Sequence, residues 1–219
     1  MQTSITPFSL GECPPFQPGN SKCCQVFIWQ HLLPLHTLLE EAQRLKLPLP
    51  EYKHEKRLTE QASALIMLAH LLGSDARLSH TPEGAPILTS HPHLHISISH
   101  TKGAYAVSLS PHCHGIDIER HSPRALRLRQ RFLLPQEAHL HFSSATFSAE
   151  EEATILWCAK EAAFKAFSSP TLTRLEQVAL EMENENQLLA HPADRPHLKV
   201  PISVHNNSEL VTVICEAVN

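Results

Sequence analysis

The sequence predicts an α+β protein made of two similar halves related by a pseudo-twofold axis. A helix pattern followed by a β-hairpin pattern occurs twice, and the alternating run "HLHISISH" at residues 93–100 resembles "HLKVPISVH" at residues 197–205. A repeat spaced at nearly half of the 219 residues indicates the duplication of one unit. We place the halves at residues 1–110 and 111–219, with the functional site at the interface between them.

Composition restricts the possible functions. Hydrophobic residues make up 42% of the chain and charged residues 18%, as in a folded globular protein. A formal charge of −4 disfavours a dedicated nucleic-acid binder, which needs a basic face.

The longest apolar run, "ALIMLAHLL", is too short for a bilayer, and the N-terminus lacks the basic-then-apolar order of a signal peptide. We therefore expect a cytoplasmic protein with no membrane contact. The six cysteines include no CxxC pair, so free thiols are expected.

Local patterns predict the elements of the first half. Several Pro and Gly residues indicate an irregular arm over the first 25 residues, which leads into a strand at "CCQVFIWQ". A helix is expected near Pro34 to Leu45. A longer helix is expected over "EKRLTEQASALIMLAHLLG", because its apolar residues recur every three or four positions up to Gly73. The alternating runs on either side of "TKG" then form a hairpin.

The second half repeats this order. "AEEEATILWCAKEAAFKAF" has acids in its first turn, where the helix dipole favours them, and Pro170 closes the helix. A loop is expected next. It is followed by the strand at residues 197–205, a turn at "NNSE" and a returning strand at "LVTVICEAV".

Two carboxylates share one face of the predicted strand "GIDIE". Alternation puts Ile116 and Ile118 on one face and Asp117 and Glu119 on the other. The Cα atoms of these two residues lie roughly 6.5 to 7 Å apart along the strand, and the repulsion of their carboxylates is about 2.5 kcal/mol at an effective dielectric near 20. Either open water or a cation must offset this cost. A solvated strand face is one interpretation, and an Mg²⁺ site with oxygen ligands is the other.

Two further segments carry charges that suit a phosphate. In "WCAKEAAFKAF", Glu161 and Lys165 lie one helical turn apart, which indicates either an ordinary amphipathic helix or a diphosphate clamp with a third metal ligand. In "ISISHTKG", Ser99 and His100 end a strand and Lys102 follows in the turn. That turn is either a plain hairpin connection or a phosphate site.

Seventeen histidines leave a metal-handling alternative open. The clusters "HPHLH", "HCH" and "HLH" could supply zinc ligands, but none has the helical HExxH spacing.

The ordered set "SxSH", "GIDIE" and "WxxKEAxxK" resembles the 4'-phosphopantetheinyl transferases, which move the phosphopantetheine arm of coenzyme A onto a serine of an apo carrier protein. The match runs from about Glu55 to Phe167. The chain is similar to the long, surfactin-synthetase-activating form, in which two halves are fused into a monomer. The resemblance implies that family's fold, an activity of the holo-[acyl-carrier-protein] synthase type, Mg²⁺ as cofactor, coenzyme A as co-substrate and an acyl or peptidyl carrier as partner.

The resemblance also implies roles for individual residues. Expected metal ligands are Asp117, Glu119 and Glu161. Expected contacts to coenzyme A are Lys56, Arg57, Ser99, His100, Lys160 and Lys165. Glu161 and Lys165 form the expected catalytic pair, and Glu161 is the candidate for taking the serine proton.

The chain departs from the family in one respect. Where the family often has Gly-Lys-Pro, this chain has Gly84-Ala85-Pro86, so one cationic contact to coenzyme A is absent unless Lys102 replaces it. An inert Mg²⁺ and coenzyme A binding protein is therefore the alternative function. The segment "RHSPRALRLRQRF" contains five Arg between residues 120 and 131. It indicates either a solvated helix or a docking surface for the acidic helices of a carrier protein.

Overall fold

The computed structural model describes residues 4–9, 24–49, 54–142, 147–167, 171–184 and 187–216. They form two compact units, Met1–Pro111 and His112–Asn219. Both units combine helices with β-sheet, which confirms the predicted α+β class. The pseudo-twofold relation and the interface between halves stay predictions.

Within its described residues, the N-terminal unit contains two helices and six strands. Its elements are β1 (Ser4–Pro7), β2 (Gln25–Gln30), α1 (Leu35–Arg44), α2 (Glu55–Leu72), β3 (Leu78–His80), β4 (Pro86–Leu88), β5 (His95–Thr101) and β6 (Ala104–Ser110). Four strands form one sheet in the order β1-β2-β6-β5, and β3 pairs with β4. Leu68 and Leu71 of α2 are buried in the core of this unit together with Trp29 and Val107 from the sheet.

The described part of the C-terminal unit contains two α-helices, two short 3₁₀ turns and five strands. Its elements are β7 (His114–Arg120), α3 (Pro123–Phe132), 3₁₀ turns at Pro135–Glu137 and Leu175–Gln177, α4 (Ala149–Phe167), β8 (Val178–Asn184), β9 (Gln187–Pro192), β10 (Val200–Asn206) and β11 (Leu210–Glu216). The strands form one sheet in the order β7-β11-β10-β9-β8. Ile155, Leu156 and Ala159 of α4 are buried in the core of this unit.

The strongly periodic elements lie where the sequence predicts them. Helix α2 ends at Gly73, whose φ of 99° gives the left-handed turn that glycine adopts without strain. Helix α4 begins with reciprocal hydrogen bonds. The Ser148 amide donates to the Glu151 carboxylate at 2.8 Å, and the Glu151 amide donates to the Ser148 hydroxyl at 3.2 Å. This capping box stabilises the first turn together with the acids predicted there. Pro170, the predicted stop, lies outside the described residues.

Two predictions for irregular segments were wrong. The N-terminal arm contains a strand, because Ser4–Pro7 pairs in parallel with Gln25–Ile28. The segment predicted as a loop after α4 contains the antiparallel pair β8 and β9. Both depend on hydrogen bonds to partner strands, which short or weakly alternating sequences do not predict. No helix in the described part of the chain is both long and apolar enough to cross a membrane.

Candidate active site

A close contact between β7 and α4 positions the charged residues of the C-terminal unit. Gly115 opens the "GIDIE" strand, and a Cβ added there would lie 2.0 Å from the Ala162 carbonyl oxygen and 2.7 Å from the Ala166 amide nitrogen. Only a residue without a side chain therefore allows the strand backbone to approach the helix backbone this closely. On the other side of β7, Asp117 pairs with Val213 of β11, which fixes its register.

Asp117 is buried and bonded to a lysine of α4. The Lys165 ammonium donates to Asp117 Oδ1 at 2.9 Å and to the Ile116 carbonyl at 2.9 Å. Asp117 is 6% exposed, and both neighbouring isoleucines of the strand are fully buried. The structure thus brings together two residues that the sequence predicts for the site, one from the strand and one from the helix.

Glu119 and Glu161 lie within electrostatic reach of this pair. Burial is the main cause that raises the pKa of Glu161, and the negative charges of Asp117 and Glu119 raise that pKa further, while Lys165 opposes the shift. The three carboxylates predicted as metal ligands therefore influence one another. A group of like charges shielded from water favours a bound cation.

The donor set fits Mg²⁺ in its chemistry. All three predicted ligands offer carboxylate oxygens, which hard divalent cations prefer. Their positions do not form a coordination sphere, because among the described residues no three His, Cys, Asp or Glu side chains are grouped so that they could hold a metal ion.

Lys160 occupies a different environment from Lys165. It is fully buried, and its ammonium lies 2.7 Å from Glu137 Oε2 and 2.8 Å from Oε1. It also donates to the Val178 carbonyl. Glu137 in turn accepts the Leu180 amide at 2.6 Å and the Leu134 amide at 2.6 Å. Lys160 therefore connects α4 to the adjacent 3₁₀ turn and to β8. Its predicted contact with the diphosphate does not agree with this position, because a ligand cannot reach a side chain without accessible surface.

The predicted phosphate contacts of the N-terminal unit lie around the start of α2 and the end of β5. Lys56 and Arg57 are exposed in the first turn of α2. Ser99 is buried, and the exposed His100 follows it on β5. Sequence reasoning missed Glu60, whose carboxylate lies 3.4 Å from His100 Nε2 and 3.7 Å from Lys56 Nζ. The only local signal was the spacing of four residues between Lys56 and Glu60.

Two turns of the N-terminal unit contain Lys102 and Ala85. Gly103 has a φ of 69°, and a Cβ there would lie 2.8 Å from Leu32, so the turn after Lys102 requires glycine. Ala85 lies between β3 and β4, and its amide donates to the Thr81 hydroxyl at 3.2 Å.

The arginine-rich segment folds as α3. Arg129 is only partly exposed, and its guanidinium lies 3.2 Å from Glu152 and donates to the Leu140 carbonyl. Arg124, Arg127 and Arg131 are exposed. On α3 one arginine therefore has a structural contact and three face solvent, while the fifth, Arg120, ends β7 and lies 3.6 Å from Glu209.

The strand and helix described above lie in the part of the chain that resembles a known family. Residues 114–215, just under half of the chain and nearly all of its C-terminal unit, match the model of the 4'-phosphopantetheinyl transferase superfamily. This unit is therefore similar to that superfamily, whose members transfer phosphopantetheine. The match confirms the family resemblance, while the long monomeric form stays a prediction. No curated protein matches the chain.

Proposed function

We propose that this protein transfers the 4'-phosphopantetheine arm of coenzyme A to a serine of an apo acyl or peptidyl carrier protein, with Mg²⁺ as cofactor. The observation that carries the proposal is the superfamily match over a unit in which Asp117, Glu161 and Lys165 lie close together. In the proposed reaction the serine oxygen forms a bond to the β-phosphorus. The bond from that phosphorus to the bridging oxygen breaks, and adenosine 3',5'-bisphosphate leaves.

Asp117, Glu119 and Glu161 are the proposed Mg²⁺ ligands. The bound cation would offset charge on the diphosphate during the transfer. Gly115 keeps β7 against α4, and the strand carboxylates lie close enough to Glu161 to raise its pKa, which supports a shared role. Lys165 is held against β7 by one hydrogen bond to Asp117 Oδ1 and one to the Ile116 carbonyl, and this fixed position would let its ammonium orient a nearby phosphate oxygen. Glu161 is the proposed acceptor of the serine proton.

Residues of the N-terminal unit are proposed to bind the nucleotide end of coenzyme A. Exposed Lys56 and Arg57 offer cations for the 3'-phosphate, and Ser99 and His100 lie at the end of β5. Lys102 is exposed in the turn after β5. We propose that it replaces the lysine that the family often has at the position of Ala85. We further propose the long, monomeric form and a cytoplasmic location.

The test is to incubate the purified protein with coenzyme A, Mg²⁺ and an apo acyl carrier protein, and to measure the carrier's intact mass. Asp117→Ala is the site variant. Asp194→Ala is the matched control, because the Asp194 side chain is 68% exposed on a turn. A phosphopantetheine increment with the wild type and Asp194→Ala, but not with Asp117→Ala, supports the proposal.

The alternative function is an inert protein that binds Mg²⁺ and coenzyme A, and the observation that favours it is Ala85 in place of a cationic residue. Absence of any increment with several carriers, together with Mg²⁺-dependent coenzyme A binding, would favour this alternative.

A further inference from the structure

The carboxylate of Glu60 lies between a histidine and a lysine side chain of the N-terminal unit. Oε2 is 3.4 Å from His100 Nε2, and Oε1 is 3.7 Å from Lys56 Nζ. The Glu60 side chain is 19% exposed, compared with 42% for His100 and 87% for Lys56. An acid thus occupies the most shielded position of a group whose outer members are the predicted phosphate contacts.

The surroundings of Glu60 restrict its motion. It lies on α2, and the adjacent turns of this helix are held by hydrogen bonds from Thr59 Oγ1 to the Glu55 carbonyl and from Ser63 Oγ to the Thr59 carbonyl. Burial raises the pKa of Tyr105, and the charge of Glu60 raises it further, so the carboxylate also lies near β6. A shielded carboxylate on a helix is a fixed acceptor, whereas a histidine at a strand end has a ring that can turn.

We propose that Glu60 is a positioning residue for the coenzyme A site. By accepting the Nε2 proton of His100 it holds the imidazole ring in one orientation, and it restrains the flexible Lys56 ammonium beside that ring. A site arranged in this way favours a ligand with a phosphate group on its ribose. The inference rests on the proposed function, and it adds a residue that determines specificity for the 3'-phosphate.

The experiment compares two ligands and three variants by titration calorimetry. The ligands are coenzyme A and dephospho-coenzyme A, which lacks the 3'-phosphate. Glu60→Ala removes the acceptor, whereas Glu60→Gln keeps an acceptor oxygen without the charge. Glu41→Ala is the matched control, because Glu41 forms a similar pair with His70 at 3.3 Å. Since His70 is ten residues further along α2, that pair lies about 15 Å from Glu60 along the helix axis.

We expect Glu60→Ala to weaken coenzyme A binding about tenfold, the usual effect of losing one hydrogen bond to a charged group. Binding of dephospho-coenzyme A should be unchanged, Glu60→Gln should bind within about threefold of the wild type, and Glu41→Ala should bind as the wild type does. Equal weakening for both ligands, or none, would overturn the inference. Tighter binding by both Glu60 variants would also overturn it, because Glu60 would then only repel phosphate.

If the wild type modifies its carrier, the proposed function stands whatever the Glu60 result. If the wild type binds no coenzyme A, both proposals fail.

Discussion

In the N-terminal unit a helix carboxylate, Glu60, lies beside a lysine and a histidine, whereas in the C-terminal unit a helix lysine, Lys165, lies among carboxylates. Both units place a helix against a sheet, so the same architecture supports opposite charge patterns. The first pattern suits an anion and the second suits a cation.

The two units also differ in how closely a strand approaches a helix. Among the glycines that the structure describes, only Gly115 would place a Cβ against helix backbone. The largest effect that separates the units is therefore expected at Gly115. We predict that Gly115→Ala costs about 3 kcal/mol or more of the free energy of unfolding, because backbone atoms of α4 cannot move aside singly. Chemical denaturation measures this cost.

Gly84→Ala is the control for the Gly115 prediction. Gly84 has a φ of 91° and no atom within 4 Å of an added Cβ, so the substitution should cost only about 1 kcal/mol for its backbone conformation. Equal costs at the two positions would show that the contact between strand and helix is not tight.

The second prediction concerns the buried lysine of the C-terminal unit. Lys160→Met leaves the Glu137 carboxylate buried without its ammonium partner and should cost about 3 kcal/mol. Burial is the main cause that lowers the pKa of Lys160, while Glu137 opposes the shift. Because Lys160 has no exposed surface, we expect it to contact no ligand from solvent. At a temperature where the variant stays folded, its coenzyme A affinity should equal that of the wild type in calorimetry. A lower coenzyme A affinity of the folded variant would contradict this prediction and indicate that Lys160 contacts the ligand.

The third prediction concerns Lys165, whose ammonium bonds to Asp117 and lies near the charges of Glu119 and Glu161. Lys165→Met should cost about 1 to 2 kcal/mol, because the buried Asp117 side chain loses its ammonium partner while the lysine is partly exposed. Added Mg²⁺ should raise the melting temperature of this variant more than that of the wild type, since a cation that offsets the carboxylates is then missing. Lys165→Arg keeps the charge and is the control. Identical Mg²⁺ responses in all three proteins would contradict this account.

The smallest effect is expected on the outer face of α3. Reversal of Arg124 and Arg127 to Glu should raise the KM for an acidic carrier protein about threefold to tenfold and leave the KM for coenzyme A unchanged. Both guanidinium groups are exposed, so stability should not change. Arg174→Glu, at another exposed arginine, is the control. A carrier KM that does not respond, at low salt, would remove α3 from the docking surface.

Local sequence predicted the parts of the molecule that local forces determine. Periodicity located α2, α4 and the β5-β6 and β10-β11 hairpins, and alternation put Asp117 and Glu119 on β7. The contacts that were missed join residues far apart in sequence. Lys160 meets Glu137 across 23 positions, and Glu60 meets His100 across 40. In both cases a motif supplied the residue type, but only the folded chain shows whether that side chain faces solvent or a buried partner.

The buried cysteines have a consequence for oxidation chemistry. Burial is the main cause that raises the pKa of both Cys158 and Cys215 well above the usual range, and Asp117 and Glu119 add to the shift at Cys158. Thiolates, which attack disulfides and alkylating reagents, are therefore scarce at both positions. Coenzyme A itself ends in a thiol, so an exposed reactive cysteine beside it would invite mixed disulfides. If coenzyme A is the substrate, as we propose, the low reactivity of Cys158 protects the protein from mixed disulfides with the coenzyme A thiol. Among the described thiols, Cys113, at intermediate exposure, is the one that a thiol probe would label first.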